Sequence, residues 1–333
     1  MLYVGVDAHK KTSHFTVMDE KGTVLKAKNV ESSPEGVNEA LAAFHGKRMK
    51  AVIEASYSWG PMYDLLSEAT DEVVLAHPVQ VKAIANARIK TDSIDSRILA
   101  HLLRADLIPE AYAPSKEVRA LKRVLRQRMF FVKLRTMFKN RISALLAQHH
   151  IDKPKLSDLF GSEGMTWLGN VRLPEPDGAI LGEDLSLVKT LNERIKATEG
   201  LLKRLSAGDK AVEWLRSLPG VGRFLSVLIR YEVADMTRFP SAKKFASYTG
   251  LVPSTYGSAE RLFHGRLTKQ GNKWLRWGLV EAVTAAIRVS PRLRRYYDRI
   301  KHRRGAKDAR TATARKLAEL VWVVWTEQRC YYE

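Results

Sequence analysis

Short apolar runs and alternating stretches fill the first hundred residues, and apolar positions spaced by three and four dominate the rest. Leu2-Tyr3-Val4-Gly5-Val6 runs into Asp7 and predicts a buried strand over 2–9. His14 to Met18 and Thr23 to Lys28 predict two more strands, joined by the turn Asp19-Glu20-Lys21-Gly22. A helix is expected from about Pro34 to Phe44, started by Ser32-Ser33. Ala51 to Ala55 is a second buried run, carrying Glu54, and a helix follows through Met62, Tyr63, Leu65 and Leu66. Glu72 to Ala76 reads as another strand, closed by His77-Pro78. Helices near Val79 to Ala87 and Ile94 to Leu103 complete a unit that ends near Pro114.

From Val118 to Ile151 the pattern changes. Val118, Leu121, Leu125, Met129 and Val132, then Leu134, Phe138, Ile142 and Leu145, line one face of a long amphipathic helix. The Pro/Gly-rich stretch Lys153 to Gly182 reads as a loop or mobile insertion. A second helix, Leu185 to Leu205, carries Leu187, Leu191, Ile195, Leu202 and Leu205. Two long helices joined by a loop suggest an antiparallel coiled-coil arm, a device that often serves dimerisation. Leu218-Pro219-Gly220-Val221-Gly222 before an apolar helix has the form of a helix-hairpin-helix turn. From Phe239 to Arg276, small, hydroxyl and basic residues predict irregular backbone. The expected divisions are 1–114, an α/β domain; 115–210, the arm with its loop insertion; and 211–333, a mainly α domain.

Charge narrows the partners. The chain has 333 residues, 56 Lys+Arg against 36 Asp+Glu, a net charge of +20 and a pI near 10.0, which suits a polyphosphate. The segment 118–151 has no carboxylate, and its polar face holds Arg119, Lys122, Arg123, Arg126, Arg135 and Lys139. One-signed density of this kind points to nucleic acid, since solvated faces usually mix signs. Gly220 and Gly222 would offer backbone N–H groups to a phosphate at a helix N-terminus. Arg292 to Lys316 is a further basic stretch. The longest apolar run, Leu320 to Trp325, is too short to span a bilayer, so no membrane association is expected. Met1-Leu2-Tyr3-Val4 enters a strand directly, and the single cysteine, Cys330, excludes disulfides within the chain, so a cytoplasmic setting is expected.

Four carboxylates carry the candidate chemistry. Asp7 and Glu54 end apolar runs, which places their oxygens at the rim of a sheet. Asp92 and Asp95, in Lys90-Thr91-Asp92-Ser93-Ile94-Asp95, are three apart at the head of a helix and share one face. Clustered oxygens are what hard divalent cations require. A lone strand-end carboxylate could instead cap a turn, and His9, two residues past Asp7, either approaches the metal site or caps it, with the cap favoured. A three-strand meander followed by alternating helix and strand is the ribonuclease H-like order, which collects carboxylates at strand ends and on one late helix.

These blocks carry a family resemblance. Gly5-Val6-Asp7, Ile53-Glu54-Ala55, Lys90 to Asp95, Leu218 to Gly222, Phe239-Pro240-Ser241, Gly250-Leu251-Val252-Pro253, Leu267-Thr268-Lys269-Gln270-Gly271-Asn272 and Leu275-Arg276 occur in an order and spacing that resembles the DEDD-type insertion-sequence transposases, the "one-ten" family. The match covers nearly the whole chain. It implies a RuvC-like catalytic domain, a coiled-coil arm and a carboxyl-terminal transposase domain, in a bacterial cytoplasm. The family's nucleophilic serine follows the Gly-Leu-x-Pro block as Tyr-x-Ser-Gly; here the text is Tyr256-Gly257-Ser258-Ala259, with Ala in place of the last Gly. Lys269 and Arg276, in the later blocks, join the candidate nucleic-acid contacts.

The resemblance further implies an RNA-guided recombinase. Asp7, Glu54, Asp92 and Asp95 would hold Mg2+, with Mn2+ as a substitute, and Ser258 would form a covalent 5′-phosphoserine link to DNA. A noncoding bridge RNA would pair with double-stranded donor and target DNA, and the protein would act as a dimer, assembling to a tetramer on DNA. Other readings stay open on the residues alone. A Holliday-junction resolvase-like nuclease would use the same carboxylates with water as nucleophile. A catalytically silent nucleic-acid scaffold would need only the basic faces; a sugar-kinase-like ATPase also opens on Gly-Val-Asp, but the basic arm and the missing phosphate-loop glycines argue against it.

Overall fold

The computed structural model describes residues 1–85, 91–258, 261–267 and 271–333, with 255–258, 261–264 and 266 described by backbone alone. The chain divides into two compact units, Met1–Ala113 and Pro114–Glu333.

The first unit is a five-stranded mixed sheet: β1 (Leu2–Ala8), β2 (Thr12–Met18), β3 (Val24–Glu31), β4 (Met49–Glu54) and β5 (Glu72–Ala76), in the order β3-β2-β1-β4-β5. The first three strands form the expected antiparallel meander; β4 lies parallel to β1, and β5 parallel to β4. This order is compatible with a ribonuclease H-like domain. The two-residue period of a strand sorts the side chains. Val4, Val6, Phe15, Val17, Ala51 and Ile53 pack on one face against Val37 and Leu41 of α1 (Pro34–Leu41) and Met62 and Leu66 of α2 (Trp59–Ala69). Val52, Val74 and Ala76 pack on the other face against Val81 of α3 (Pro78–Ile84) and Leu99, Leu102 and Leu103 of α4 (Asp92–Arg104). The helix expected near Val79 to Ala87 is thus α3; its last two expected residues, and Lys90, lie outside the described residues.

Gly5 decides how α4 seats. A Cβ at this position would stand 2.0 Å from the carbonyl oxygen of Ser96 and 2.6 Å from the amide of Ala100. Only glycine lets the helix backbone lie this close to β1. Buried Ser96 then fastens α4 to β2, its Oγ standing 2.8 Å from both His14 Nδ1 and Thr16 Oγ1.

In the second unit α5 (Lys116–Gln148) and α7 (Asp177–Leu205) pair along their lengths within one chain. They run antiparallel: Arg128 reaches Glu199, Arg135 reaches Asn192 and Arg141 reaches Asp184. The expected loop between them is corrected. It contains α6 (Ser162–Asn170), and α7 begins eight residues before Leu185. Buried Leu168 and Leu181 join Ile142, Leu145 and Leu146, so apolar burial overrides the Pro/Gly signal. Pro176 sits at the N-cap of α7, where it breaks nothing, and Gly178 and Gly182 are carried inside the helix.

The rest of the unit is α8 (Lys210–Arg216), α9 (Arg223–Val233), α10 (Ala242–Tyr248), a hairpin of β6 (Pro253–Ser258) and β7 (Arg261–Leu267), then α11 (Lys273–Val289), α12 (Pro291–Arg304) and α13 (Ala306–Thr326). Its core gathers Leu218, Ile229, Phe245, Leu279, Val283, Leu317 and Val321. The hairpin corrects the expectation of irregular backbone. Tyr256 pairs in register with Phe263, and aromatic residues favour strands, a β preference that the composition of the segment hid. No helix among the described residues is long and apolar enough to cross a membrane.

Candidate active site

Asp7 and Glu54 are set by register. Val6 pairs with Ile53 on parallel strands, so the next residue of each strand is an acid at the same sheet edge. Asp7 is odd-numbered with Gly5, and Glu54 is even-numbered with Val52. Both therefore occupy the face on which α4 lies. Thr91 caps α4 by accepting a hydrogen bond from the amide of Ile94, and Asp92 and Asp95 fill its first turn, where the helix dipole favours negative charge. Asp7, Glu54 and Asp95 together line a cavity of about 400 Å3, shared with Lys82 and Ile98.

Asp92 stands beside this cavity through His9. The imidazole Nε2 lies 3.4 Å from an oxygen of Asp7 and 3.4 Å from an oxygen of Asp92. The three residues bring one potential ligand atom each within 4.8 Å of one another. His9 is thus on the cluster rather than a mere strand cap. The signal was its spacing two residues after Asp7, although His9 itself lies one residue past the end of β1. Burial pushes the Asp7 carboxyl above the usual carboxylate range; His9 opposes the rise, and the charges of Asp92 and Asp95 add to it. A carboxylate cluster that is costly without a counter-charge, built wholly of hard oxygens beside one imidazole, fits a divalent cation.

Ser258 ends β6 and pairs in register with Arg261; residues 259 and 260 between them, with Ala259 of the family block, lie outside the described residues. It belongs to the second unit, and the four carboxylates belong to the first. The hairpin is footed by Gly250, with φ +70°, and by Gly271, with φ +118°, where a Cβ would meet the carbonyl of Tyr248 at 2.3 Å.

Residues 4–151 match the model for IS110 transposases of the DEDD type, and residues 212–298 match that of the transposase IS116/IS110/IS902 family. The chain belongs to the IS110/IS116 transposase family. Among curated relatives of this family, the "Transposase for insertion sequence element IS1111A" of Coxiella burnetii is 23% identical, covering 98% of this chain and 90% of its own. The corresponding protein for element IS1328 of Yersinia enterocolitica is also 23% identical, over 97% and 96%. A "Probable family 20 transposase" of Pseudomonas aeruginosa is 24% identical, over 77% and 80%.

The basic face of this IS110-family chain differs from its sequence image. Lys122 and Arg126 turn toward Glu232 of α9, which is 1% exposed; Arg126 lies 3.3 Å from Oε1, and Lys122 lies 3.8 Å from Oε2. Burial pushes the Lys122 ammonium below its ordinary value, with Glu232 opposing. Arg135 donates to Asn192 at 2.8 Å, and Arg119 donates to the carbonyl of Pro114 at 3.2 Å. Lys139 lies over the Phe160 ring at 4.7 Å. Arg123 is exposed, while Arg276 is half-buried on α11. The one-signed helix is therefore balanced in part by acids from α7 and α9, which its own sequence could not reveal. Lys269 lies outside the described residues.

The glycine turn between α8 and α9 also divides. Gly220 has φ +76°, and a Cβ there would stand 2.3 Å from the carbonyl of Ala282, so its bareness serves packing on α11. Gly222, the N-cap of α9, faces open space. Of the two, it has the geometry for an incoming phosphate.

Proposed function

We propose that this protein is a DNA transposase that cuts and rejoins strands through a metal-assisted serine mechanism. The observation that carries the reading is the convergence of Asp7, Glu54 and Asp95 on one cavity, with Asp92 tied to Asp7 through His9. Asp7, Glu54, Asp92 and Asp95 would hold Mg2+ or Mn2+, which polarises a phosphate and stabilises a departing oxyanion. Ser258 Oγ attacks the scissile phosphorus, forming an O–P bond as the bond to the 3′ oxygen breaks. The serine proton passes to a base, and the departing 3′ oxygen takes up a proton. The 5′ phosphate stays on Ser258, so the bond energy is kept for rejoining to a second strand without ATP.

The carboxylates lie in one unit and Ser258 in the other, which motivates sharing between protomers: the serine of one copy would serve the metal site of another. Arg123 and the amide at Gly222 would take phosphates of the substrate. A bridge RNA would supply sequence recognition by base pairing, in keeping with the family resemblance.

The test is to incubate the protein with element-end DNA and Mg2+, trap protein–DNA adducts under denaturing conditions, and map the modified peptide. An adduct at Ser258 supports the reading. Metal-dependent cleavage without any adduct would replace it by a resolvase-like hydrolase, and an adduct at Ser254 or Tyr256 would move the nucleophile.

A further inference from the structure

Beside the hairpin lies a groove of about 1270 Å3, walled by Pro253 and Leu267 at the hairpin's base and by the facing helices α12 and α13. Arg303, Arg304 and Lys307 stand on its helical wall. All three are exposed, and none forms an ion pair among the described residues. Arg315 and Lys316, deeper in the groove, are partly neutralised by Glu319 at 3.7 and 2.9 Å. A second hollow of about 540 Å3, lined by Arg292, Arg295 and Arg299, shares Tyr296 and Lys316 with the first. A basic track therefore runs along the whole of α12. On its 14 residues, Asp298 is the one carboxylate against seven Arg and Lys.

This differs from the arm, whose cations meet carboxylates of neighbouring helices. Here Arg303, Arg304 and Lys307 face an open hollow with no ion pair among the described residues, although Asp308 shares the wall, and an excess of cations lining a groove suits a polyanion. The helix is about 21 Å long at 1.5 Å per residue. That length matches about six phosphates along one strand at 3.4 Å each. Ser258 ends the strand whose first residue walls the groove, about 17 Å away at the rise of a strand.

We propose that the groove between the β6–β7 hairpin and α12–α13 holds the DNA backbone flanking the phosphate that Ser258 attacks. This rests on the serine reading for its placement, and on charge and shape for the binding itself. Arg303, Arg304 and Lys307 neutralise phosphates there, several nucleotides from the cut.

The test compares full-length wild type with the triple variant Arg303→Gln, Arg304→Gln, Lys307→Gln, in excess EDTA so that DNA is bound without metal-assisted cleavage. Binding to labelled element-end DNA is followed across a salt series. Three lost phosphate contacts should make the slope of log K against log salt shallower by about three, and weaken binding on the order of 100-fold at 0.1 M salt. A control triple in the first unit, Lys21→Gln, Lys47→Gln, Arg48→Gln, makes the same change in net charge and should leave the slope unchanged. An unchanged slope in the groove variant, an equal effect of the control, or a loss confined to RNA would each overturn the assignment. Because binding is read in EDTA and no adduct is measured, failure of the serine reading shows separately, in the Mg2+ adduct assay, as wild type that binds DNA but never becomes linked to it.

Discussion

Asn272 donates through Nδ2 to Oε2 of Glu232 at 2.9 Å, while its Oδ1 accepts from the amides of Trp274 and Leu275 at the head of α11. One side chain thus ties the segment after β7 to α9 and caps the next helix. Glu232 is itself buried and held by Lys122 and Arg126 of α5. Removing the carboxylate would leave the buried Lys122 ammonium without its counter-charge, held only by the carbonyl of residue 232 at 3.4 Å. Glu232→Ala should lose about 3–5 kcal/mol of stability. Glu232→Gln keeps the contact with Asn272 and should lose less. Denaturant unfolding of the two variants checks the ordering, and equal losses would mean that the charge of Glu232 acts alone, with nothing from its volume or its contact with Asn272.

Gly5→Ala tests the seating of α4. The added methyl meets backbone that cannot rotate away, so overpacking should cost about 1–3 kcal/mol or more. The larger effect should be on the metal site, because Asp92 and Asp95 move with the helix. A folded Gly5→Ala protein that keeps wild-type Mg2+-induced stabilisation would show that the close approach does not position the acids.

The raised carboxyl of Asp7 makes stability depend on pH in a definite sense. Ionised Asp7 is disfavoured in the metal-free folded state by burial and by Asp92 and Asp95. Below the unfolded carboxylate value, about 3.9, the group is protonated in both states and the penalty is absent. The penalty enters as pH rises through the higher folded value. In EDTA, Asp7→Asn should therefore raise the melting temperature near pH 7 and have no such effect near pH 3. Mg2+ should stabilise wild type more than this variant. Replacing Asp7, Glu54, Asp92 or Asp95 by Ala should each abolish strand cleavage with the fold retained, and wild-type rates in any one would remove that residue from the site.

Sharing of the site between protomers has a direct test. A Ser258→Ala protein mixed with an Asp7→Ala protein should recover part of the recombination lost in each, since some pairs combine an intact serine with an intact metal site. Silence at every ratio, in oligomers shown to be mixed, would place serine and metal in one chain.

The arm separates folding from assembly. Leu125 is fully buried against Leu202, Val227 and Leu228 of its own chain. Leu125→Ala should cost about 2–5 kcal/mol without changing the oligomer. Phe130 and Met137 are 51% and 48% exposed and seven residues apart, so they share one outer face of α5. If protomers pair through the arm, Phe130→Glu with Met137→Glu should yield monomers in sedimentation at unchanged melting temperature, and an unaltered oligomer would place the contact elsewhere.

What the sequence determined by itself was local. Alternation and apolar runs marked all five strands of the first sheet, and spacing by three and four marked both arm helices, because burial on one face imposes a period on the chain. The order of the acidic and glycine blocks was equally legible, and with it the family to which the chain belongs. Two kinds of fact were not. The helix inside the supposed loop depended on partners distant in sequence, Ile142 and Leu146 among them, and the hairpin carrying Ser258 on pairing across its two strands, so composition around them misled. The charge of the arm was the sharper case. A helix without carboxylates reads as a polyanion surface, yet Glu232, Asn192, Glu199 and Asp184 arrive from other helices and take up several of its cations. Electrostatics depends on distance through space, which sequence separation does not record. Only the tertiary structure decided which cations are spent within the fold and which, as on α12, are left facing outward.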